Sequence, residues 1–455
     1  MKLSCYKKRG RDDLKFLISF SNKLMQKYMP DPFLLVILLT FFVCGLALIT
    51  TNSTPVQIIE YWGTGFWSLL TFSMQMVLIL VTGHVMASSP LFKKLLGRLA
   101  KIPRTPGQSI ILVTIVALIA CWINWGFGLI IGALFAKEIA SKVNGVDYRL
   151  LIASAYSGFI IWSGGLSGSV ALTIATPGHF SEEIMGVVPT SETIFSPFNF
   201  VILGGLFILV PIINRLMVPP KDKAFVIDPA LLKDNESLEA ATIEATSAIT
   251  PADRLENSLL LSILIGLLGL SFLVYYFAKN GFALNLDIVN FLFLFIGIIL
   301  HKTPKQFLKA VSDSVKNASG IIIQFPFYAG LMGIVSSSGL VGVFSNAIIS
   351  FSNEHTFHLF TLWSAGLVNF FVPSGGGQWA VQGPVMLETA QNLGVSLSKT
   401  AMAVAWGDAW TNMIQPFYAL PALAIAGLKA KDIMGYGLVI MIITGVFISG
   451  VFLLL

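Results

Sequence analysis

Apolar residues run along this chain in blocks of roughly twenty, separated by short polar connections. Blocks of that length cross a hydrocarbon core of roughly 30 Å as helices. The pattern predicts crossings near 33–53, 64–88, 150–177, 197–217, 257–279, 285–301, 317–337, 400–427 and 433–455. Two more apolar stretches, 107–142 and 356–396, are broken near the middle by glycines, and each is predicted to form a re-entrant hairpin that returns to its side of entry. The expected fold class is therefore an all-α polytopic membrane protein of about 9–11 spans, the range depending on whether each hairpin is re-entrant or fully spanning.

Composition agrees. Of 455 residues 55% are hydrophobic and only 11% charged, with a mean hydropathy of +0.80; a soluble domain carries roughly 25% charged residues. The net charge of +6 does not point to nucleic acid, because the basic residues sit in short loops between apolar runs, where they set topology. Cys5, Cys44 and Cys121 have no spacing that suggests a disulfide or metal framework. No structural metal and no cofactor is expected.

With both hairpins returning to their entry side, the N-terminus, the 92–106, 137–149 and 302–316 loops, the 215–256 linker and Lys429/Lys431 all fall on the cytoplasmic side. Only Lys279 and Lys399 of the 29 basic residues then fall outside, and the acidic 180–196 loop, free of Lys and Arg, joins them there. The C-terminus is predicted to be periplasmic. The first 30 residues carry eight Lys/Arg ahead of a run long enough to span, which predicts a cytoplasmic amphipathic segment rather than a cleaved leader.

The two halves match at a constant offset of about 249 residues. Thr54-Pro55-x-Gln57 recurs as Thr303-Pro304-x-Gln306, Gln75 as Gln324, Ser88-Ser89-x-Leu91 as Ser337-Ser338-x-Leu340, Gly126 and Gly128 as Gly375 and Gly377, and Gly158 as Gly407. Matching loops have opposite charge character: 54–60 has no basic residue, while 302–309 has Lys302, Lys305 and Lys309. That is the signature of inverted-topology repeats, each with a hairpin and a broken helix. The predicted organisation is a first repeat at 31–217, a cytoplasmic linker at 218–256, a connecting span at 257–279 that flips the second half, and a second repeat at 280–455.

Four segments place Gly or Pro among hydroxyl and amide side chains inside an apolar run: Asn124-Trp125-Gly126-Phe127-Gly128, Ser163-Gly164-Gly165-Leu166-Ser167-Gly168-Ser169, Pro373-Ser374-Gly375-Gly376-Gly377-Gln378, and Gly407-Asp408 through Gln415-Pro416. Non-helical backbone at membrane depth is tolerated where it is buried in protein or lines a wet cavity. Helix N-termini at such breaks suit a carboxylate, and unwound carbonyls with Asp, Asn and Thr oxygens suit a cation. Glycines and hydroxyls also serve close helix packing, but four breaks at paired positions predict a binding site. Its predicted substrate residues are Asn124, Gly126, Gly128, Ser163, Gly164, Gly165, Ser167, Ser374, Gly375, Gly376, Gly377, Gln378, Thr411 and Asn412.

Asp408 is the one clear acid inside a span. It lies about 13 Å along a helix from Lys399, where a charge costs ~2.5 kcal/mol or more on insertion scales. It is the predicted site of the coupling ion, Na+ or H+, with Thr411 and Asn412 beside it. Glu138, Glu388 and His179 stand near the ends of their elements and are expected at the interface. No Lys or Arg is expected within the cavity, so a small monocarboxylate substrate held by neutral donors is favoured over a multiply charged one. Trp122, Trp125, Trp162, Trp406, Trp410 and Phe417 flank the breaks and are candidates for an apolar lining. The five histidines form no HExxH, and neither a G-x-S-x-G elbow nor a P-loop occurs, so enzyme readings find no support.

Gly407-Asp408-x-x-Thr411-Asn412-x-Ile414-x-Pro416 resembles the broken-helix signature of the ion transporter superfamily, which includes the p-aminobenzoyl-glutamate and dicarboxylate carriers. Together with Met29-Pro30-Asp31-Pro32-Phe33, Asn124-Trp125-Gly126-Phe127-Gly128 and Pro373-Ser374-Gly375-Gly376-Gly377-Gln378-Trp379, it resembles the bacterial short-chain fatty acid transporter family, associated with acetoacetate and butyrate uptake. The resemblance covers about 15–455. It implies a secondary active carrier of the bacterial inner membrane, with sodium or proton coupling at Asp408, Thr411, Asn412 and the hairpin tips, in a homodimer. Phe159 stands where Asp408 would map in the first repeat, which leaves a second cation site without an acid. A carrier of another small anion, a dicarboxylate or amino acid, is the competing expectation. A channel would need a continuous polar stripe, and an intramembrane enzyme a nucleophile–base pair.

Overall fold

Hydroxyl–proline pairs punctuate the chain and start its helices. Thr54-Pro55, Thr105-Pro106 and Thr303-Pro304 each put a threonine at the N-cap, whose side chain accepts from the backbone N–H of Gln57, Gln108 and Gln306 in turn. Proline at the first helical position costs no hydrogen bond there. The computed structural model describes residues 32–220, 222, 224–227, 250–370 and 372–455. The predicted N-terminal segment 1–30, the Met29-Pro30-Asp31 end of one motif and most of the predicted linker lie outside the described residues.

Among the described residues every regular element is helical. The first half holds α1 (Pro32–Thr50), α2 (Pro55–Gly65), α3 (Leu70–Ala87), α4 (Pro90–Leu99), α5 (Pro106–Ile123), α6 (Trp125–Ala140), α7 (Tyr148–Ser157), a 3-10 turn over Gly158–Gly164, α8 (Ser169–Ile174), α9 (Glu182–Met185) and α10 (Pro197–Leu216). Then come α11 (Pro251–Glu256) and α12 (Leu259–Asn280). The second half holds α13 (Leu286–His301), α14 (Pro304–Val315), α15 (Ser319–Ser337), α16 (Leu340–Phe351), α17 (Phe357–Val368), α18 (Gly375–Leu393), α19 (Leu397–Thr411), a 3-10 turn over Asn412–Ile414, α20 (Pro416–Ala426) and α21 (Ala430–Leu454).

The element order recurs. The series α2 to α6 has counterparts in α14 to α18, and α7, its 3-10 turn and α8 in α19, its 3-10 turn and α20. Helices α1 and α10 correspond to α13 and α21, and α12 has no counterpart. Seven helical stretches among the described residues are long and apolar enough to cross a membrane; Val36–Thr50, Leu286–His301 and Phe357–Val368 are shorter apolar helices. Helix α12 is the most exposed of the seven, with 22% of its apolar window buried. Leu264, Leu268 and Val274 stand out from it as lipid-facing side chains would.

Three expectations change in detail. The basic stretches 92–106 and 302–316, expected as loops, are largely the amphipathic helices α4 and α14, which bury only Leu96 and only Ser314. The first hairpin breaks at one residue, Asn124 (φ −156°, ψ 128°), and its glycines lie inside α6. In the last broken span Gly407 and Asp408 are helical, and the chain turns only at Asn412–Gln415.

The broken spans are packed backbone to backbone. Helix α17 lies on α19 where Gly407 faces the Leu362 carbonyl; a Cβ at position 407 would stand 2.3 Å from that oxygen. Helix α21 lies on the 412–414 turn, and a Cβ at Gly437 would stand 2.0 Å from the Met413 carbonyl. We expect Gly437→Ala to lower the thermal stability of the detergent-solubilised protein by ~1–3 kcal/mol. Gly204→Ala, on an exposed face with nothing within 4 Å, should leave the midpoint unchanged or raise it; equal midpoints for the two variants would contradict this packing.

Candidate functional site

In the first half the two breaks are stitched to each other. Asn124 caps α6: its Oδ1 accepts from Phe127 N–H at 2.9 Å, and its Nδ2 donates to the Ile79 carbonyl at 3.3 Å. The Trp125 N–H donates to Ser167 Oγ at 2.9 Å, and the Leu166 N–H to the Trp122 carbonyl at 2.7 Å. Asn199 of α10 holds the rest of the bend, donating to the carbonyls of Gly164 (3.0 Å) and Ile194 (2.7 Å) and accepting from Trp406 Nε1 at 3.0 Å.

The second half repeats the arrangement with different side chains. Ser374 caps α18, its Oγ accepting from Gly377 N–H at 3.3 Å. Asn369, just past α17, sends its Nδ2 toward three oxygens: the Asp408 carbonyl at 3.0 Å, Thr411 Oγ1 at 2.9 Å and Asn412 Oδ1 at 2.6 Å. Gln415 Nε2 returns a bond to the Asn369 carbonyl at 2.9 Å. Tyr156 of the first half donates to the Asn412 carbonyl at 2.6 Å, with the Gln415 carbonyl at 3.2 Å.

Asp408 lies inside this knot, fully buried. Its Oδ2 accepts from Asn412 Nδ2 at 3.3 Å, and its Oδ1 has no hydrogen-bond partner among the described residues. It stands near the C-terminal end of α19, where a helix dipole disfavours negative charge. None of the ion pairs among the described residues includes it. A half-satisfied buried carboxylate is costly, and its Oδ1 is a hard ligand of the kind a proton or an alkali cation takes.

Beside the knot is a cavity of about 620 Å³. Its wall takes Met76 and Leu80 from α3, Trp125 and Leu129 from α6, Trp162 from the 3-10 turn, Ser169 from α8, Gln324 and Phe325 from α15, the Pro373–Gly376 tip, and Tyr418 from α20. The Trp162 indole forms part of this wall, and its Nε1 lies 3.3 Å from the Asn412 side-chain amide. One aromatic ring therefore separates the cavity from the Asp408 knot. Contrary to the expectation that no basic residue would reach the cavity, Lys316 lines it. That side chain is 72% exposed and bonded to Asp313 at 2.8 Å, which places it at the rim.

Of the predicted substrate residues, Ser374, Gly375 and Gly376 line the cavity. Asn124, Ser163, Gly164, Gly165 and Ser167 form the bend behind it. Gly126 and Gly128 lie inside α6, where a Cβ would stand 3.0 Å from the Leu80 carbonyl and 2.3 Å from Cys121 Sγ. Gly377 packs on Tyr328, and Gln378 bonds the Ala365 carbonyl at 2.8 Å and Gln382 at 2.9 Å. Thr411 and Asn412 belong to the knot. Trp125 and Trp162 line the cavity; Trp410 instead donates to the Met441 carbonyl at 2.6 Å, and the Phe417 side chain lies outside the description. Glu138 pairs with Lys142 at the end of α6, both side chains partly exposed. His179 holds its own loop through the Gly186 carbonyl at 3.0 Å. Sequence reasoning missed Asn369 and Ser169. The only signal for Asn369 was an amide a few residues ahead of a Pro-Ser-Gly break, and Ser169 was one hydroxyl among several.

The profile of the short chain fatty acid transporter family matches residues 14–455. A provisionally named short-chain fatty acid transporter of Escherichia coli (strain K12) is 45% identical over 427 residues, covering 94% of this chain and 96% of its own. Another of the same name, from Haemophilus influenzae, is 44% identical over 445 residues, covering 96% and 98%. The crystal structure of the YdaH transporter of Alcanivorax borkumensis, described as having an unusual topology, is similar with a TM-score of 0.50 at 15% identity, over 92% of this chain and 98% of that one. At that identity the likeness is one of fold.

Asn369→Ala removes the donor on which three oxygens converge. We expect it to lower stability by ~1–3 kcal/mol, the cost of leaving buried acceptors unmet. Thermal unfolding against Ser350→Ala, an exposed hydroxyl bonded only to its own helix, is the check; matching midpoints would mean the knot does not hold the break.

Proposed function

This chain belongs to the short-chain fatty acid transporter family, and on that premise we propose that it moves a small aliphatic monocarboxylate, of the butyrate or acetoacetate kind, across the bacterial inner membrane by cation-coupled alternating access. The observation that carries the coupling is the buried Asp408 carboxylate, one oxygen of which has no partner among the described residues, one aromatic ring away from a cavity. A cation entering the knot would meet that oxygen together with the hydroxyl of Thr411 and the amide of Asn412.

The cavity chemistry supports a singly charged, partly apolar cargo. Its wall is aromatic and aliphatic, its polar groups are neutral hydroxyls, amides and helix N–H groups, and its one cation stands at the rim. A dicarboxylate would need more positive charge than this wall offers. The recurring order of elements and the opposite charge of matching loops support inverted repeats whose relative rocking exposes the cavity to each side in turn. The cytoplasmic N-terminus and periplasmic C-terminus follow from the basic loops. The homodimer implied by the family resemblance belongs to the same proposal, and the site within one chain does not depend on it.

The test is uptake of labelled butyrate and acetoacetate into proteoliposomes under an imposed sodium gradient or an imposed proton gradient. Accumulation driven by one of them is expected and names the ion; none under either, with folded protein, would reject the substrate class. Asp408→Asn should reduce gradient-driven accumulation by ~10-fold or more, since one buried charge interaction is worth at least about 1.4 kcal/mol. Undiminished accumulation by that variant would remove Asp408 as the coupling site.

A further inference from the structure

Ser169 opens α8 on the cavity wall, is 2% exposed, and has a hydroxyl with no hydrogen-bond partner among the described residues. Facing it is the start of α18, a helix of 19 residues whose first N–H groups have no intrahelical acceptor. Three of the groups at this end have partners: the Gly375 N–H is bonded to Tyr418, the Gly377 N–H to Ser374 Oγ at 3.3 Å, and the Gln378 N–H to the Ser374 carbonyl at 2.6 Å. The Gly376 N–H has no such partner among the described residues. The two elements touch here, since a Cβ built on Gly375 would stand 2.7 Å from Ser169 Oγ and 2.7 Å from the Trp162 ring. Glycine at 375 is what lets the hydroxyl approach the helix end.

We propose that Ser169 Oγ and the Gly376 N–H together hold the carboxylate of the transported acid. An unpartnered buried hydroxyl beside an unpartnered N–H at the positive end of a helix is a two-point donor set for one carboxylate, reinforced by the dipole. The short alkyl tail then lies along Trp162 and Trp125, whose ring centroids are 6.0 Å apart on the same wall. Two neutral donors match one negative charge. This assignment rests on the proposed function and adds the residue that reads the head group.

The test is initial-rate butyrate uptake in proteoliposomes by the full-length chain and two variants. Ser169→Ala should raise KM by about tenfold, the loss of one hydrogen bond to a charged group. Its Vmax should stay within about twofold and its dependence on the driving ion should not move. Ser154→Ala deletes another buried hydroxyl without a partner, one that does not line the cavity, and should leave KM unchanged. An unmoved KM in Ser169→Ala, or an equal rise in Ser154→Ala, would overturn the assignment. Should Ser169→Ala not fold, Ser169→Cys supplies the readout: saturating butyrate should slow its modification by a methanethiosulfonate reagent, and unprotected labelling would count against the assignment. A parent chain that carries no short-chain acid rejects the proposed function and this inference with it, an outcome distinct from normal parent uptake with an indifferent Ser169.

Discussion

A chain surrounded by hydrocarbon must bond its backbone to itself, and the rest of this structure follows from how the chain does so where its helices stop. Each break leaves N–H and carbonyl groups that a continuous helix would pair. In both halves the hairpin break and the broken-span break face each other and exchange bonds: Trp125 and Leu166 with Ser167 and Trp122 in one, Asn369 and Gln415 in the other. Tyr156 and Trp406 then cross between halves to reach the Asn412 carbonyl and Asn199. The halves meet where the unmet groups are, and the cavity lies beside that junction.

How much of this could be read from residue order depends on what a break looks like in sequence. The constant offset between halves, the all-helical class and the lone acid at Asp408 were legible, because periodicity and charge in an apolar run leave few alternatives. The individual glycines were not. Gly375 and Gly376 line the cavity, while Gly126 and Gly128, matched to the same motif, let α6 approach Leu80 and Cys121. A glycine at a loop and a glycine at a helix contact are written the same way. Asn369 was hidden for a different reason. Its role comes from three oxygens on another helix, about forty residues away in the chain, which no local pattern records. The basic stretches at 93–104 and 302–309 stood out by charge, but charge does not record that Pro90 and Pro304 each open a helix there, the second under a Thr303 cap.

The two halves share a plan and differ where it matters. At the offset that pairs them, Asp408 answers to Phe159. That ring is fully buried, stacks on Trp162 at 5.5 Å and packs on Tyr418 at 5.1 Å. One half thus spends the position on an aromatic wall and the other on a carboxylic acid, which under the proposed coupling gives one acid for one ion. Under the proposed coupling and the proposed carboxylate site, ion and cargo are held by residues close together in the chain. Asn369 bonds the Asp408 helix, and Gly376 lines the cavity. A cation at Asp408 and a carboxylate at Gly376 would then each bias the conformations open to the other. By linkage, each ligand must change the affinity for the other by the same factor. Under these two proposals coupling would need no long pathway, because Asn369 bonds the Asp408 helix and Gly376 lines the cavity.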